Sequence, residues 1–332
     1  MQLLELTSHG FKIPDGTYSF REKEQPSNVV IVRGDPGSGK TLFLRLLAAW
    51  KETVAPVGLA PDLRRFLRID KTTGRLSVTV LFNEAERKRA KLETSQHRVV
   101  VEVEPAGSAF QLPPNMEYAF HPFEKTEPAT RWEFFPAHRS LRVEDFRLPH
   151  PPVSPALEAA KRLTVNSDKY ALFRRVFHNI ALEQAAGIAT LLDRRGVALR
   201  SEQPDLFASY KKALATMTPD LRLTGVEIGK DCSTPRFLRR DGHSLPIEEL
   251  TASEEQAALF AFAYVWLQLN GAVVLIDTPE LHIAPPDQLS FLDNVLCLGS
   301  SNQTFIATQS PELFNFPGAT VIHLTKPDGE RT

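Results

Sequence analysis

The chain has 332 residues, 42% of them hydrophobic, enough to bury a substantial core in one large α/β domain with insertions or in two modest domains. With 39 Lys+Arg against 40 Asp+Glu, the net charge of -1 supplies no whole-protein field for nucleic acid or an acidic membrane, so any such contact must come from a local patch. Cys232 and Cys297 lack CxxC spacing, which excludes a disulfide framework and a cysteine zinc site and suits a reducing cytoplasm.

Met1 to Leu6 lacks the basic start and sustained apolar stretch of a secretory signal. The apolar run Ala257 to Leu267 is too short to span a bilayer, so no membrane contact is expected and a core helix is. Residues 1–149 read as a strand-rich lobe, with β-branched or aromatic runs at Val29 to Val32, Leu76 to Phe82, Arg98 to Val103 and Trp132 to Phe135. The run His150 to Pro155, with three prolines, marks entry to a helical insert over 150–215, where Phe173, Val176, Phe177 and Ile180 fall at helical spacing and the helix ends near Gly196. From 216 to 332 the order reads strand, helix, strand, helix, strand. The segments are Leu221 to Ile228, Glu254 to Leu269, Ala272 to Ile276, Pro286 to Leu298 and Thr304 to Ala307. Such alternation predicts an α/β fold with a parallel sheet and right-handed crossovers. Sustained heptads are absent, which argues against a long coiled-coil arm.

The run Val29 to Val32 enters the loop Gly34-Asp35-Pro36-Gly37-Ser38-Gly39-Lys40-Thr41, and a helix with Phe43, Leu46, Leu47 and Trp50 on one face follows. This is the strand–loop–helix setting of a P-loop. Its glycines let backbone N–H groups curl around phosphate, the helix start adds its dipole, Lys40 reaches the β/γ-phosphates and Thr41 binds Mg²⁺. ATP and Mg²⁺ are therefore the expected ligands. The buried run Ala272 to Ile276 ends in Asp277, which reads as a turn cap or as a carboxylate facing Mg²⁺ opposite Thr41; the P-loop upstream favours the metal. In Leu250 to Gln256, Thr251 with Glu254 or Ser253 with Gln256 has capping-box spacing, so a helix starts here, either simply capped or offering an anion site.

The order P-loop, LTASEEQ, VVLIDTPELHIAP, TFIATQSPEL resembles that of ABC-type ATPases of the RecF, SMC-like and OLD groups. Phe134 to Arg139 is also similar to a segment found before the insert in those families. The resemblance implies a P-loop NTPase with an ABC-type head, dimerising head to tail with two ATPs sandwiched. It makes Ser253 the signature that reaches the γ-phosphate held by the other subunit. Asp277 becomes the acidic metal partner, with Glu280 and His282 in the next turn, and Gln309 takes the γ-phosphate-sensing switch position. It further implies an ATP-driven switch acting on DNA or on a separately encoded effector such as a nuclease or toxin, in anti-phage defence or genome maintenance.

The departures from that pattern are chemical. Thr278 stands where a glutamate follows the aspartate, Gln309 where a switch histidine is expected, and Ser253 where the signature has glycine. Threonine cannot serve as a general base, so turnover is expected to be slow or to depend on Glu280. A scaffold that binds ATP without useful hydrolysis is the rival reading. The basic clusters Arg64-Arg65-Arg68, Arg87-Lys88-Arg89-Lys91 and Arg236-Arg239-Arg240 read as solvated faces or phosphate-backbone contacts. The nine histidines include no HxxxH or HxH pair, and no GxSxG elbow appears.

Overall fold

A computed structural model describes residues 1–56, 60–120, 131–141, 162–164, 167–170, 173–195, 204–228 and 233–326. In chain order the strands that build the sheets are β1 Gln2–His9, β2 Gly16–Ser19, β3 Val29–Gly34, β4 Gly74–Leu81, β5 Gln96–Glu104, β6 Gly107–Phe110 and β7 Trp132–Phe135. They continue with β8 Leu221–Ile228, β9 Ser233–Arg239, β10 Ser244–Pro246, β11 Val273–Asp277, β12 Gln303–Ala307 and β13 Thr320–Leu324. The principal helices are α1 Lys40–Val54, α2 Phe173–Arg195, α3 Ala208–Met217, α4 Ala252–Trp266 and α5 Gln288–Cys297.

The molecule is built in layers. One five-stranded sheet runs antiparallel in the order β2-β1-β4-β5-β6, and another runs parallel in the order β13-β3-β12-β11-β7. The parallel sheet draws β3 and β7 from the first half of the chain and β11, β12 and β13 from its end. Strand alternation sends successive side chains to opposite faces. Val30, Val32, Trp132, Phe134, Val273 and Leu275 thus join α1 and the antiparallel sheet in one core, while Ile31, Phe135, Val274, Ile276 and Ile306 join α4 in another. Lying between two sheets, α1 buries Leu44, Ala48 and Ala49 as well as Phe43, Leu46, Leu47 and Trp50, so its apolar surface is wider than one stripe.

Helix α4 starts where the Thr251/Glu254 spacing predicts, with a complete capping box. The alternative Ser253/Gln256 box does not form, because Gln256 is buried and its amide donates to the Arg139 carbonyl at 3.3 Å. In α2, Phe173, Val176 and Phe177 are buried, and the helix ends at Arg195. The predicted entry at His150 to Pro155, like Cys232, lies outside the described residues.

One expectation is corrected. Leu221 to Ile228 is not part of the parallel sheet; it begins an antiparallel sheet in the order β8-β9-β10 that packs on α3 and α4. Ile228 and Ser233 are too close in sequence for the crossover that a parallel pair needs, so β8 and β9 run antiparallel, and the Arg239 amide donates to the His243 carbonyl across the turn that folds β10 back on β9. Strand β13, with no motif to announce it, adds to the far side of β3.

Candidate active site

The C-terminal ends of β3, β11 and β12 converge at one edge of the parallel sheet, where ligands of open α/β folds bind. Between β3 and α1 the loop closes tightly, with the Ser38 amide on the Asp35 carbonyl at 3.0 Å and the Phe43 amide on Gly39 at 2.8 Å. Gly39 occupies the helix cap at φ 93°, a left-handed conformation that L side chains rarely adopt. At Gly34 a Cβ would stand 2.3 Å from the Leu324 carbonyl oxygen and 2.5 Å from Ser38 Oγ, so the loop admits no side chain there. Lys40 Nζ donates to the carbonyls of Gly34 at 2.7 Å and Asp35 at 2.9 Å, lying along the loop it serves. Burial lowers its pKa, against the opposing fields of Asp35, Asp277 and Glu280.

Residues 236 positions apart meet at the next strand, where Thr41 Oγ1 donates to Asp277 Oδ1 at 3.0 Å. Thr278 Oγ1 donates to the same oxygen at 3.3 Å. Burial raises the Asp277 pKa, and those two hydroxyls and Arg139 act against it. Thr278 adopts φ 52°, a region costly for a β-branched residue, with its amide bound to the Ala307 carbonyl at 2.8 Å. Glu280 reaches across to the switch strand, its Oε1 accepting the Gln309 amide at 2.9 Å while its Oε2 is buried without a partner. The Gln309 side chain is exposed.

This structure therefore gathers the P-loop, Lys40, Thr41, Asp277, Glu280 and the Gln309 backbone at one edge. Ser253 is not part of that group. Exposed in the first turn of α4, it contacts Thr251 Oγ1 at 3.2 Å and lines a groove of about 500 Å³ with His282, Ile283 and Asn294, which no P-loop residue lines. The donor set at the sheet edge is oxygen only, hydroxyl and carboxylate, which suits Mg²⁺. Ser38 Oγ, buried and without a partner, leaves a polar atom in the loop available to a phosphate. The residues present fit the nucleotide and the ion.

Sequence reasoning passed over two features. Ile13 lies beside the helix cap, its Cγ2 3.5 Å from where a Cβ on Gly39 would sit. Arg139, noticed only as part of a familiar segment, is buried beneath Asp277 and donates to its carbonyl at 3.0 Å. The sequence offers no signal that separates it from Arg142 and Arg147, which follow in the same stretch. Members of each basic cluster pair with acids. Arg64 meets Asp62 at 2.8 Å, Arg68 meets Asp15 at 2.9 Å, Lys88 meets Glu84 at 2.7 Å, and Arg236 meets Glu227 at 2.6 Å. Among the described residues no helix is long and apolar enough to cross a membrane.

No protein-family model matches the sequence, and no curated protein matches it. Solved structures do. The chain is similar to the Smc head domain with an extended coiled coil derived from Pyrococcus furiosus, bound to the C-terminal domain of ScpA, with TM-score 0.56 and 13% identity over 99% of this chain and 94% of that one. It is also similar to an SmcHead bound to the C-winged helix domain of ScpA, with TM-score 0.55 and 11% identity over 97% of this chain and 94% of that one. At such identities the likeness is one of fold: a mixed α/β molecule with a parallel and an antiparallel sheet, arranged as in those Smc head domains.

Proposed function

We propose that this chain binds ATP·Mg²⁺, hydrolyses it slowly and closes head to tail with a second copy over two nucleotides, working in the cytoplasm as a switch for DNA or a separate effector protein. The observation that carries the reading is the Thr41–Asp277 contact at 3.0 Å, which joins the P-loop helix to the acidic end of β11 in the chemistry that Mg²⁺ selects. The loop N–H groups and Lys40 hold the phosphates, and Thr41 and Asp277 hold the ion. Bound there, Mg²⁺ would neutralise charge developing on the transferring phosphoryl group.

Thr278 is turned toward Asp277 and has no basic group to offer the attacking water. Glu280 has one carboxylate oxygen tied to the switch strand and one unengaged, so it takes the base role in this reading. The exposed start of α4 at Ser253 lies away from its own P-loop, as a group meant for the nucleotide of a second copy would. An effector protein is supported by the ScpA domains bound to the similar Smc heads. The motif order extends the reading to RecF- and OLD-like ATPases, and so to anti-phage defence or genome maintenance with a nuclease or toxin partner. The second reading, an ATP-binding scaffold without useful turnover, is favoured by the Thr278 geometry. Binding of a labelled ATP analogue tests the site, and steady-state phosphate release with and without DNA separates the two readings.

A further inference from the structure

Among the described residues, five Lys or Arg side chains are buried: Lys40, Lys51, Arg139, Lys169 and Arg174. Lys51 meets Glu52 at 2.8 Å, Lys169 meets Glu133 at 2.5 Å, and Arg174 meets Glu248. Lys40 and Arg139 instead donate to main-chain carbonyls. Lys40 belongs to the P-loop. Arg139 contacts the backbone of Asp277, and among the described residues no carboxylate is hydrogen-bonded to its guanidinium, a burial costly enough to need a reason.

Its contacts supply one. Nη1 donates to Pro136 at the exit of β7 and to the Asp277 carbonyl, both at 3.0 Å, and Nη2 donates to the Thr278 carbonyl at 3.3 Å. Thr278 is the β-branched residue at φ 52°, a conformation that persists only where its surroundings over-determine it. Its amide is held by Ala307 and its carbonyl by Arg139. Fixed at both ends, the residue turns its hydroxyl onto Asp277 Oδ1, the oxygen that Thr41 also reaches.

The same segment is tied to α4. The guanidinium carbon lies 5.1 Å from the Phe260 ring centroid, and the Arg139 carbonyl accepts from Gln256 Nε2. The next two residues donate to Glu255 Oε1, Ser140 Oγ at 2.6 Å and the Leu141 amide at 2.8 Å. Residues 139–141 thus connect α4, which carries Ser253 in its first turn, to the strand end that presents Asp277.

We propose that Arg139 is a positioning residue that locks the Asp277–Thr278 strand end to α4, so that displacement of this helix changes the grip on Mg²⁺. The proposal rests on the ATP·Mg²⁺ reading above. Arg139 touches no reacting atom; it acts through the backbone of Asp277 and Thr278. A flat fork of donors is required, because two carbonyls from adjacent residues and a third just after β7 must be met at once while the guanidinium carbon lies over the Phe260 ring.

The test is binding of a fluorescent ATP analogue to the full chain, first in EDTA and then across a Mg²⁺ titration. Arg139→Met should leave affinity in EDTA within about twofold of the parent and raise the Mg²⁺ midpoint at least about tenfold, as loss of an outer-shell partner of a metal ligand does. Arg139→Lys, which keeps the charge and loses the fork, should fall between them, and Gln256→Leu should raise the midpoint about threefold by releasing the helix side. An unchanged Mg²⁺ midpoint in folded Arg139→Met overturns the proposal. So does an equal loss of affinity with and without Mg²⁺, the mark of general damage. Should Arg139→Met fail to fold, unchanged midpoints in both Arg139→Lys and Gln256→Leu overturn it instead. A parent that binds no analogue in either condition refutes the ATP reading itself, before any variant is made.

Discussion

Replacing Glu280 with glutamine isolates one oxygen. In the parent, Oε1 accepts the Gln309 amide at 2.9 Å and Oε2 is buried without a partner. Glutamine keeps an acceptor for that amide, so the turn after β11 stays tied to the switch strand, and it replaces the unengaged oxygen with an NH₂ group that accepts no proton. General-base assistance is commonly worth about a hundredfold or more, about 2.7 kcal/mol of barrier at about 1.36 kcal/mol per tenfold. Ground-state binding should not weaken. Glu280 opposes the depression of the Lys40 pKa, so neutralising it leaves Lys40 less compensated and the phosphate at least as well held. The expected outcome for Glu280→Gln is turnover down about a hundredfold with ATP affinity within about twofold of the parent. Phosphate release under single-turnover conditions, alongside titration with a labelled ATP analogue, measures both. Turnover within about threefold of the parent in a folded, ATP-binding Glu280→Gln protein would refute the assignment and place the base elsewhere.

Adding Thr278→Glu to Glu280→Gln should recover at least about tenfold in rate if a carboxylate directly after Asp277 reaches the water; phosphate release again reads it. Lys40→Ala should weaken ATP binding at least about tenfold, the scale of one charge-assisted contact of about 1.5 to 3 kcal/mol, and unchanged affinity would sink the nucleotide site. Light scattering should show a dimer with ATP and not with ADP, lost in Ser253→Arg; a variant that still dimerises leaves α4 simply a capped helix. Glu254 closes the capping box of α4 and pairs with Arg239 at 2.7 Å; burial raises its pKa, but the bonds from Arg239 and Thr251 outweigh that and hold it below the ordinary value. A depressed carboxylate stabilises the fold above its unfolded pKa of about 4.3 and loses that contribution as pH falls through the lower folded value. Glu254→Ala should therefore cost about 1 to 2 kcal/mol in urea unfolding at neutral pH, and its gap from the parent should narrow below about pH 4.

What the sequence by itself determined are the features set by near neighbours along the chain. The apolar run into glycines into an amphipathic helix specifies β3, the loop and α1, because turn geometry and a phosphate cradle need those residue types within a dozen positions. Thr251 and Glu254 cap α4 across three residues, and the run ending at Asp277 is long enough only for a buried strand. Tertiary structure alone decided which strands lie side by side. An apolar run states that a strand forms, not its neighbour or direction, so Leu221 to Ile228, expected in the parallel sheet, instead pairs antiparallel with β9. The meeting of Thr41 with Asp277 and the tie of Glu280 to Gln309 both depend on β12 lying between β3 and β11. Arg139 is the clearest case. Its charge is legible in the sequence, but its burial and its bonds to the Asp277 and Thr278 carbonyls, more than a hundred residues away, arise only from the packing of β7 against β11 and α4.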